Sequence, residues 1–140
     1  MIGVQDFIGY YDFTFEYLRR NHGGDPAVEE YWAQTIAFNS QAHAVKLIEE
    51  KGFEGMAEYW GHTLVSEKAG FTSELGEDYF RIDMYDCPSK GFLIRKGQQE
   101  YHDYCAHCMG WMQPIMDRAG FSIEHERNGR GQCWWLMRRK

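Results

Sequence analysis

The chain has 140 residues, the size of one domain, and 44% of them are hydrophobic, which excludes a disordered polymer. Its formal net charge is −6, and because an acidic surface repels phosphate backbones, we expect no nucleic-acid partner. The chain begins without the basic segment of a signal peptide, and no apolar run is long enough to span a membrane. We therefore expect a cytoplasmic protein without membrane contact, whose four cysteines are reduced.

The first predicted helix covers residues 3–21 and is apolar on two sides. Apolar residues recur at helical spacing along one side, and Tyr10, Phe13 and Tyr17 lie along the other. A helix that is apolar on two sides is usually buried on two sides. This aromatic helix could therefore pack against a second copy in a homodimer.

Further helices are predicted up to residue 68. Asp25-Pro26 predicts a helix start, because an aspartate can cap the first turn and proline suits its first position. The helical pattern continues to Gly52, with an expected break at 39–40. Another helix is predicted over 54–68, with apolar residues along one side.

The spacing of apolar residues changes from helical to alternating in the second half of the chain. Apolar and polar residues alternate from Tyr79 to Cys87, which predicts a strand that Pro88 ends. Other elements are predicted as follows: a strand over 71–75, helices over 89–96 and 98–119, and a final hairpin of strands 121–127 and 132–138 around a turn at 128–131.

This order of elements predicts a single α+β domain over residues 1–140. A helical N-terminal part would occupy 1–69, and an α+β part that carries the cysteines would occupy 70–140. We expect N-terminal helices followed by a small antiparallel sheet of hairpins, with helices packed on one face. The sequence leaves open whether Cys133, in the last strand, faces that core or solvent.

The predicted helix over 98–119 carries the most reactive side chains. Helical spacing places Cys105 and Cys108 on one stripe, directed toward the core or a cavity beside it. His107 falls nearly opposite and is expected to face solvent. Pro114 lies inside this helix, and because proline removes a hydrogen bond, it predicts a kink.

Three interpretations of the cysteines are open. Free cysteine packs well in a hydrophobic core. The Cys-x-x-Cys pair Cys105 and Cys108 supplies two ligands of a zinc or iron site, and Cys87, Cys133 or a histidine could complete the four ligands. A nucleophilic cysteine instead needs a lowered pKa. Cys87 fits that role best, because it ends a strand where a helix begins, near the helix amide groups and Lys90.

Three short motifs of the chain resemble the 2-aminothiazoline-4-carboxylate hydrolase family. They are Cys87-Pro88 after a strand, Tyr104-Cys105 followed by Cys108, and Gly131-Gln132-Cys133-Trp134 in the last hairpin. The chain end is also similar to the 4-vinyl reductase type of ligand-binding domain. The resemblance covers residues 50–140. It implies a hydrolase without a cofactor that opens a cyclic isothiourea to an N-carbamoyl cysteine through a covalent cysteine intermediate.

The resemblance also implies roles for individual residues. The nucleophile would be Cys87 or Cys105. The acid and base would come from His102, Asp103 or His62, a substrate carboxylate would bind Arg81 or Lys90, and Tyr104 and Trp111 would contact the substrate. The alternative is a non-enzymatic sensor module that binds a metal through its cysteines, or a small ligand.

Overall fold

The predicted α+β architecture is confirmed by the computed structural model, which describes residues 4–140. No helix in this part of the chain is long and apolar enough to cross a membrane. In chain order the elements are α1 (Val4–Asn21), α2 (Asp25–Tyr31), a π-helical segment (Trp32–Ser40), α3 (Ala42–Lys51), α4 (Phe53–Ser66), β1 (Gly70–Leu75), β2 (Tyr79–Asp86), α5 (Pro88–Lys96), α6 (Ala106–Ala119), β3 (Phe121–Arg127) and β4 (Cys133–Arg139).

The two predicted hairpins form one four-stranded antiparallel sheet in the order β1-β2-β4-β3. Residues directly opposite each other in such a sheet point to the same face. Phe80 pairs with Met137, and Ile82 pairs with Trp135, so these buried side chains share the face that packs on the helices. Helices therefore cover one face of the sheet, as the sequence predicted.

The register of the sheet decides the direction of Cys133. This residue pairs with Met84 of β2 and with Arg127 of β3. Because the buried residues of β2 and β4 alternate from that position, Cys133 points to the helical side with Met84. The open alternative, in which Cys133 faces solvent, is thereby excluded.

Two glycines allow helices to approach closely. A Cβ atom on Gly55 of α4 would overlap the carbonyl group of Leu47 in α3. On Gly110 of α6, it would press on the ring of Trp32. Both positions require the absence of a side chain, so both glycines set the distance between packed helices.

The break that was predicted near residue 39 is present, but the helix before it is of an unexpected type. The segment Trp32–Ser40 is π-helical, and α3 begins after it at Ala42. π-Helical turns are rare in proteins, and those that do occur are often found near functional sites. Here Ile36 of the segment contributes to the wall of a cavity between the helices and the sheet.

The predicted helix over 98–119 is wrong at its beginning, because α6 starts only at Ala106. The preceding residues form turns that α1 holds in place. The buried carboxylate of Asp12 accepts hydrogen bonds from the backbone N–H groups of Glu100, at 2.7 Å, and Tyr101, at 2.9 Å. This contact joins distant parts of the chain, and helical periodicity cannot reveal it.

Asp25 begins α2 as predicted, but it does not cap it. The capping position belongs to Gly24, and no side-chain cap bond is present at this helix end. The carboxylate of Asp25 instead accepts a hydrogen bond from the Tyr101 hydroxyl at 2.9 Å and pairs with Nε2 of His102 at 2.8 Å. Asp25 therefore fastens the turns before α6 to the start of α2.

Candidate functional site

A cavity of about 240 Å³, partly open to solvent, lies between the helices and the sheet, and all four cysteines line it. A site of this kind, mainly apolar with a few polar groups, is typical of small-molecule binding. The apolar lining residues come from α1, the π-helical segment, α4, β2, α6 and β4: Phe7, Ile8, Tyr11, Ile36, Tyr59, Trp60, Leu64, Met84, Met109, Trp111 and Trp135.

Cys87 occupies the capping position of α5. Its Sγ accepts a hydrogen bond from the backbone N–H of Lys90 at 3.4 Å, as expected from its place between strand and helix. Its own N–H donates to the carbonyl of Gly131 at 2.9 Å, which brings the final hairpin turn against α5. Burial raises the pKa of the Cys87 thiol to about 11, even though backbone N–H groups at the start of α5 favour the thiolate.

The remaining three thiols are also held in their neutral form. Burial raises the pKa of Cys105 to about 11, although the positive charges of Lys90 and Arg127 oppose this shift. Burial likewise raises the pKa of Cys108 and of Cys133 to about 12. Neighbouring thiols add to the raised pKa of Cys105 and of Cys133, which reflects how closely the cysteines are grouped.

His107 is buried, so the expectation that it faces solvent is wrong. The ring of Phe15 in α1 lies 5.5 Å from the His107 ring, between centroids, because α1 covers this side of α6. Nδ1–H donates to the Tyr104 carbonyl at 2.5 Å, which leaves Nε2 as an acceptor 3.8 Å from Sγ of Cys108. Burial lowers the pKa of His107 to about 4, so the ring is neutral at pH 7.

Two hydroxyl groups meet at the cavity wall. The oxygens of Ser89 and Tyr104 are 2.6 Å apart, so one donates a hydrogen bond to the other. Burial raises the pKa of Tyr104 far above its ordinary value. Both residues line the cavity beside Cys87, and they offer neutral hydrogen-bonding groups to a bound molecule.

Charged groups enter the cavity with different degrees of pairing. The carboxylate of Glu67, just after α4, makes no hydrogen bond or ion pair with any residue in 4–140, and burial raises its pKa. The Lys90 ammonium donates to the Gln99 side chain, whereas Arg127 pairs with Asp103 at 3.2 Å. The cavity thus offers one unpaired carboxylate and two cations that already have polar partners.

Several of the residues predicted for the site line this cavity. They are Cys87, Cys105, Lys90, Tyr104 and Trp111. They come from α5, α6 and the turns between them, so the fold brings together side chains that are scattered in the sequence. The two cysteines that were considered only as packing or metal-binding residues, Cys108 and Cys133, join them.

The proposed acids and bases, and one proposed anion-binding residue, lie elsewhere. His62 is exposed on α4. His102 pairs with Asp25, and Asp103 pairs with Arg127, but neither His102 nor Asp103 lines the cavity. Arg81 points to the other face of the sheet, where it bonds Asp83 at 2.8 Å and stacks over Trp134. These four side chains do not meet the cavity thiols in the described structure.

A metal site is not preformed. Within residues 4–140, no group of three or more Cys, His, Asp and Glu side chains is arranged to hold a metal ion. A structural zinc site needs four such ligands in tetrahedral arrangement. The cysteine positions therefore do not fit the zinc or iron centre of the alternative interpretation.

Sequence reasoning missed Glu67, Ser89, His107 and Arg127 as cavity residues. The register of the last hairpin could have revealed Arg127, because Arg127 and Cys133 are opposite each other in the strands. Glu67 follows the end of a helix, where a charged residue normally suggests solvent. His107 faces inward only because α1 folds over α6, and no local pattern carries that information.

The three motifs that carry the family resemblance converge in space. Cys87, Tyr104 and Cys133, one from each motif, line the same cavity, and Gly131 contacts the backbone of Cys87. Membership of the thiazoline hydrolase family stays a prediction. Comparison of the chain with protein-family models, with characterised proteins and with solved structures finds no match.

Proposed function

We propose that this protein is a small hydrolase that uses Cys87 to open a cyclic amidine or isothiourea of the thiazoline type. The observation that carries the proposal is the convergence of all four cysteines on one cavity, with the Cys87 sulfur at the amino end of α5. The N–H of Lys90 already contacts that sulfur at 3.4 Å and would stabilise a thiolate there.

The size and walls of the cavity suit a compact heterocycle. About 240 Å³ is below the volume that drug-sized ligands usually occupy, so the substrate is small. The indole rings of Trp60 and Trp111 can stack against a flat ring. A protonated amidine would pair with the carboxylate of Glu67, and a carboxylate on the same molecule would bind Lys90 or Arg127.

A cationic substrate would also activate the nucleophile. With a pKa of about 11, Cys87 is almost entirely a thiol at pH 7. A positive charge a few ångströms away favours the thiolate and lowers that pKa. The protein alone would therefore be unreactive, and binding of the amidinium would generate the attacking sulfur.

The reaction proceeds in two displacements. The Cys87 sulfur bonds to the amidine carbon, the ring C–S bond breaks, and the departing ring sulfur receives the proton that Cys87 has lost. Because the substrate binds as an amidinium, the enzyme-bound intermediate is an isothiouronium. Water attacks its carbon, and as the enzyme C–S bond breaks, one water proton passes to the Cys87 sulfur and the other to solvent, which leaves the neutral urea group of the product. Glu67, the unpaired cavity carboxylate, serves as the base that relays the water proton.

Turnover of 2-aminothiazoline-4-carboxylate tests this proposal, with release of the N-carbamoyl cysteine thiol as the readout. We expect Cys87→Ala to lower kcat by about a hundredfold or more, because it removes the covalent step. Cys133→Ala is the matched control, since it deletes another buried thiol of the same cavity, and it should keep most of the activity. Equal activity in Cys87→Ala and the wild type would refute Cys87 as the nucleophile.

A second candidate function is a ligand-binding sensor without turnover. The raised pKa values favour it, because four thiols with pKa values of about 11 or 12 are weak nucleophiles at pH 7. Calorimetric titration with the same thiazoline distinguishes the two functions. Saturable heat of binding with no released thiol would support the sensor.

The proposed chemistry also suggests where the protein works. Each of the four cysteines is a free thiol in the structure. Free thiols persist in reducing surroundings. We therefore propose the cytoplasm as its compartment.

A further inference from the structure

Two of the four cysteines share the first turn of one helix. Cys105 is the capping residue of α6, and Cys108 follows one turn later. Cys105 already has helical backbone angles (φ −62°, ψ −24°), and helical geometry places Cα atoms three residues apart at about 5 Å. A disulfide bond needs a Cα separation of about 4.4–6.8 Å. The backbone of α6 therefore provides the spacing for a bond between these two sulfurs.

The charges around the pair distinguish its two thiols. Both cysteines line the cavity, which is partly open to solvent, and both are partly exposed free thiols. Lys90 and Arg127 lie near Cys105, and their positive charges favour its thiolate. At Cys108 the negative charge of Glu67 opposes that of Arg127. Cys105 is therefore the thiol that reacts first.

We propose that Cys105 and Cys108 are a redox-active pair, which exchanges with small organic disulfides and closes to a reversible disulfide bond. Disulfides in reducing compartments are mostly transient, and they serve catalysis or redox sensing. The cavity admits a compact molecule to the start of α6, so the partner is a low-molecular-weight disulfide. This activity is separate from the proposed hydrolysis, which uses Cys87.

The exchange takes place in two steps. The Cys105 sulfur loses its proton and bonds to one sulfur of the small disulfide, whose S–S bond breaks, and the departing thiolate takes up a proton. The Cys108 sulfur then bonds to the Cys105 sulfur, and the second small thiol leaves with the Cys108 proton. Two electrons thus pass from the cysteine pair to the small disulfide, which is reduced to two thiols.

The burial of both thiols favours the closed pair. Their pKa values of about 11 and about 12 mean that the cavity does not stabilise the thiolates of Cys105 and Cys108. A protein that stabilises its reduced pair makes the disulfide easy to reduce. Because that stabilisation is lacking here, the disulfide should persist after the small thiols have left.

Treatment of the reduced protein with hydroxyethyl disulfide in mildly alkaline buffer tests the proposal, followed by acid quenching, alkylation and mass mapping. Trypsin cuts after Lys96 and Arg118, so both cysteines fall in peptide 97–118, whereas Cys87 and Cys133 fall in other peptides. We expect peptide 97–118 to be unalkylated and lighter by two hydrogen atoms, until dithiothreitol is added, while Cys87 and Cys133 are alkylated. Four alkylated thiols, a lasting adduct on one cysteine, or a disulfide between two peptides would overturn the proposal.

Three variants separate the steps and the two activities. Cys108→Ser removes the second thiol, so a mixed disulfide should accumulate on Cys105, and its absence would refute Cys105 as the attacking residue. Cys133→Ala is the matched control, because it deletes another thiol of the same cavity, and its pair should close as in the wild type. Cys87→Ala should also close the pair although it should lack hydrolase activity, so the two proposals fail independently. Loss of closure in either alanine variant would overturn the assignment to Cys105 and Cys108.

Discussion

At the level of single residues, burial governs the chemistry of the cavity. The thiol of Cys87 and the imidazole of His107 are both held neutral at pH 7, the first by a raised pKa and the second by a lowered one. Neutral groups suit the mainly apolar lining of the cavity. Their shifted pKa values also make measurable contributions to the stability of the fold.

His107 should make stability dependent on pH in a defined range. The unfolded chain binds a proton at His107 below about pH 6.5, whereas the folded protein binds it only near pH 4. The unfolded state therefore binds more protons between these values, and stability falls as pH falls from 6.5 to 4. We expect the melting temperature of His107→Gln to drop less between pH 7 and pH 5 than that of the wild type. An identical drop in both proteins would contradict the buried, neutral imidazole.

At the level of elements, close helix contacts depend on particular glycines of α4. Gly55→Ala should lower the free energy of unfolding by about 1–3 kcal/mol, because its Cβ would overlap the Leu47 carbonyl and force α3 away. Gly61→Ala in the same helix meets nothing within 4 Å among the described residues, and it should raise that free energy by about 0.5–1 kcal/mol. Urea unfolding of both variants measures the two changes. The interpretation fails if they have the same sign.

Elements with a clear local pattern could be predicted from sequence. The alternation of apolar and polar residues over Tyr79–Asp86 predicted β2, which pairs with β1. The glycine-rich turn of the last hairpin predicted the pairing of β3 with β4. The start of α6 could not be predicted, because the residues before it follow the carboxylate of Asp12, which is distant in sequence. Periodicity reports one element at a time and does not detect such contacts.

At the level of the whole molecule, the candidate site arises from packing between the two halves of the chain. The cysteines could be singled out by sequence, since they stand in recognisable motifs. The polar groups beside them could not, because the direction of Glu67 and His107 depends on how α4 and α1 meet the second half. Arg81 was predicted as a cavity residue, but the register of the sheet places it on the face that points away from the helices.

We propose that Cys87 forms a covalent bond with a small amidine in this cavity. Mass spectrometry of protein quenched in acid during incubation with 2-aminothiazoline-4-carboxylate tests it most directly. We predict a species heavier by one substrate molecule, mapped to the peptide that contains Cys87 and absent from Cys87→Ala. Turnover without any adduct on Cys87, or an adduct that persists in Cys87→Ala, would show that Cys87 is not the nucleophile.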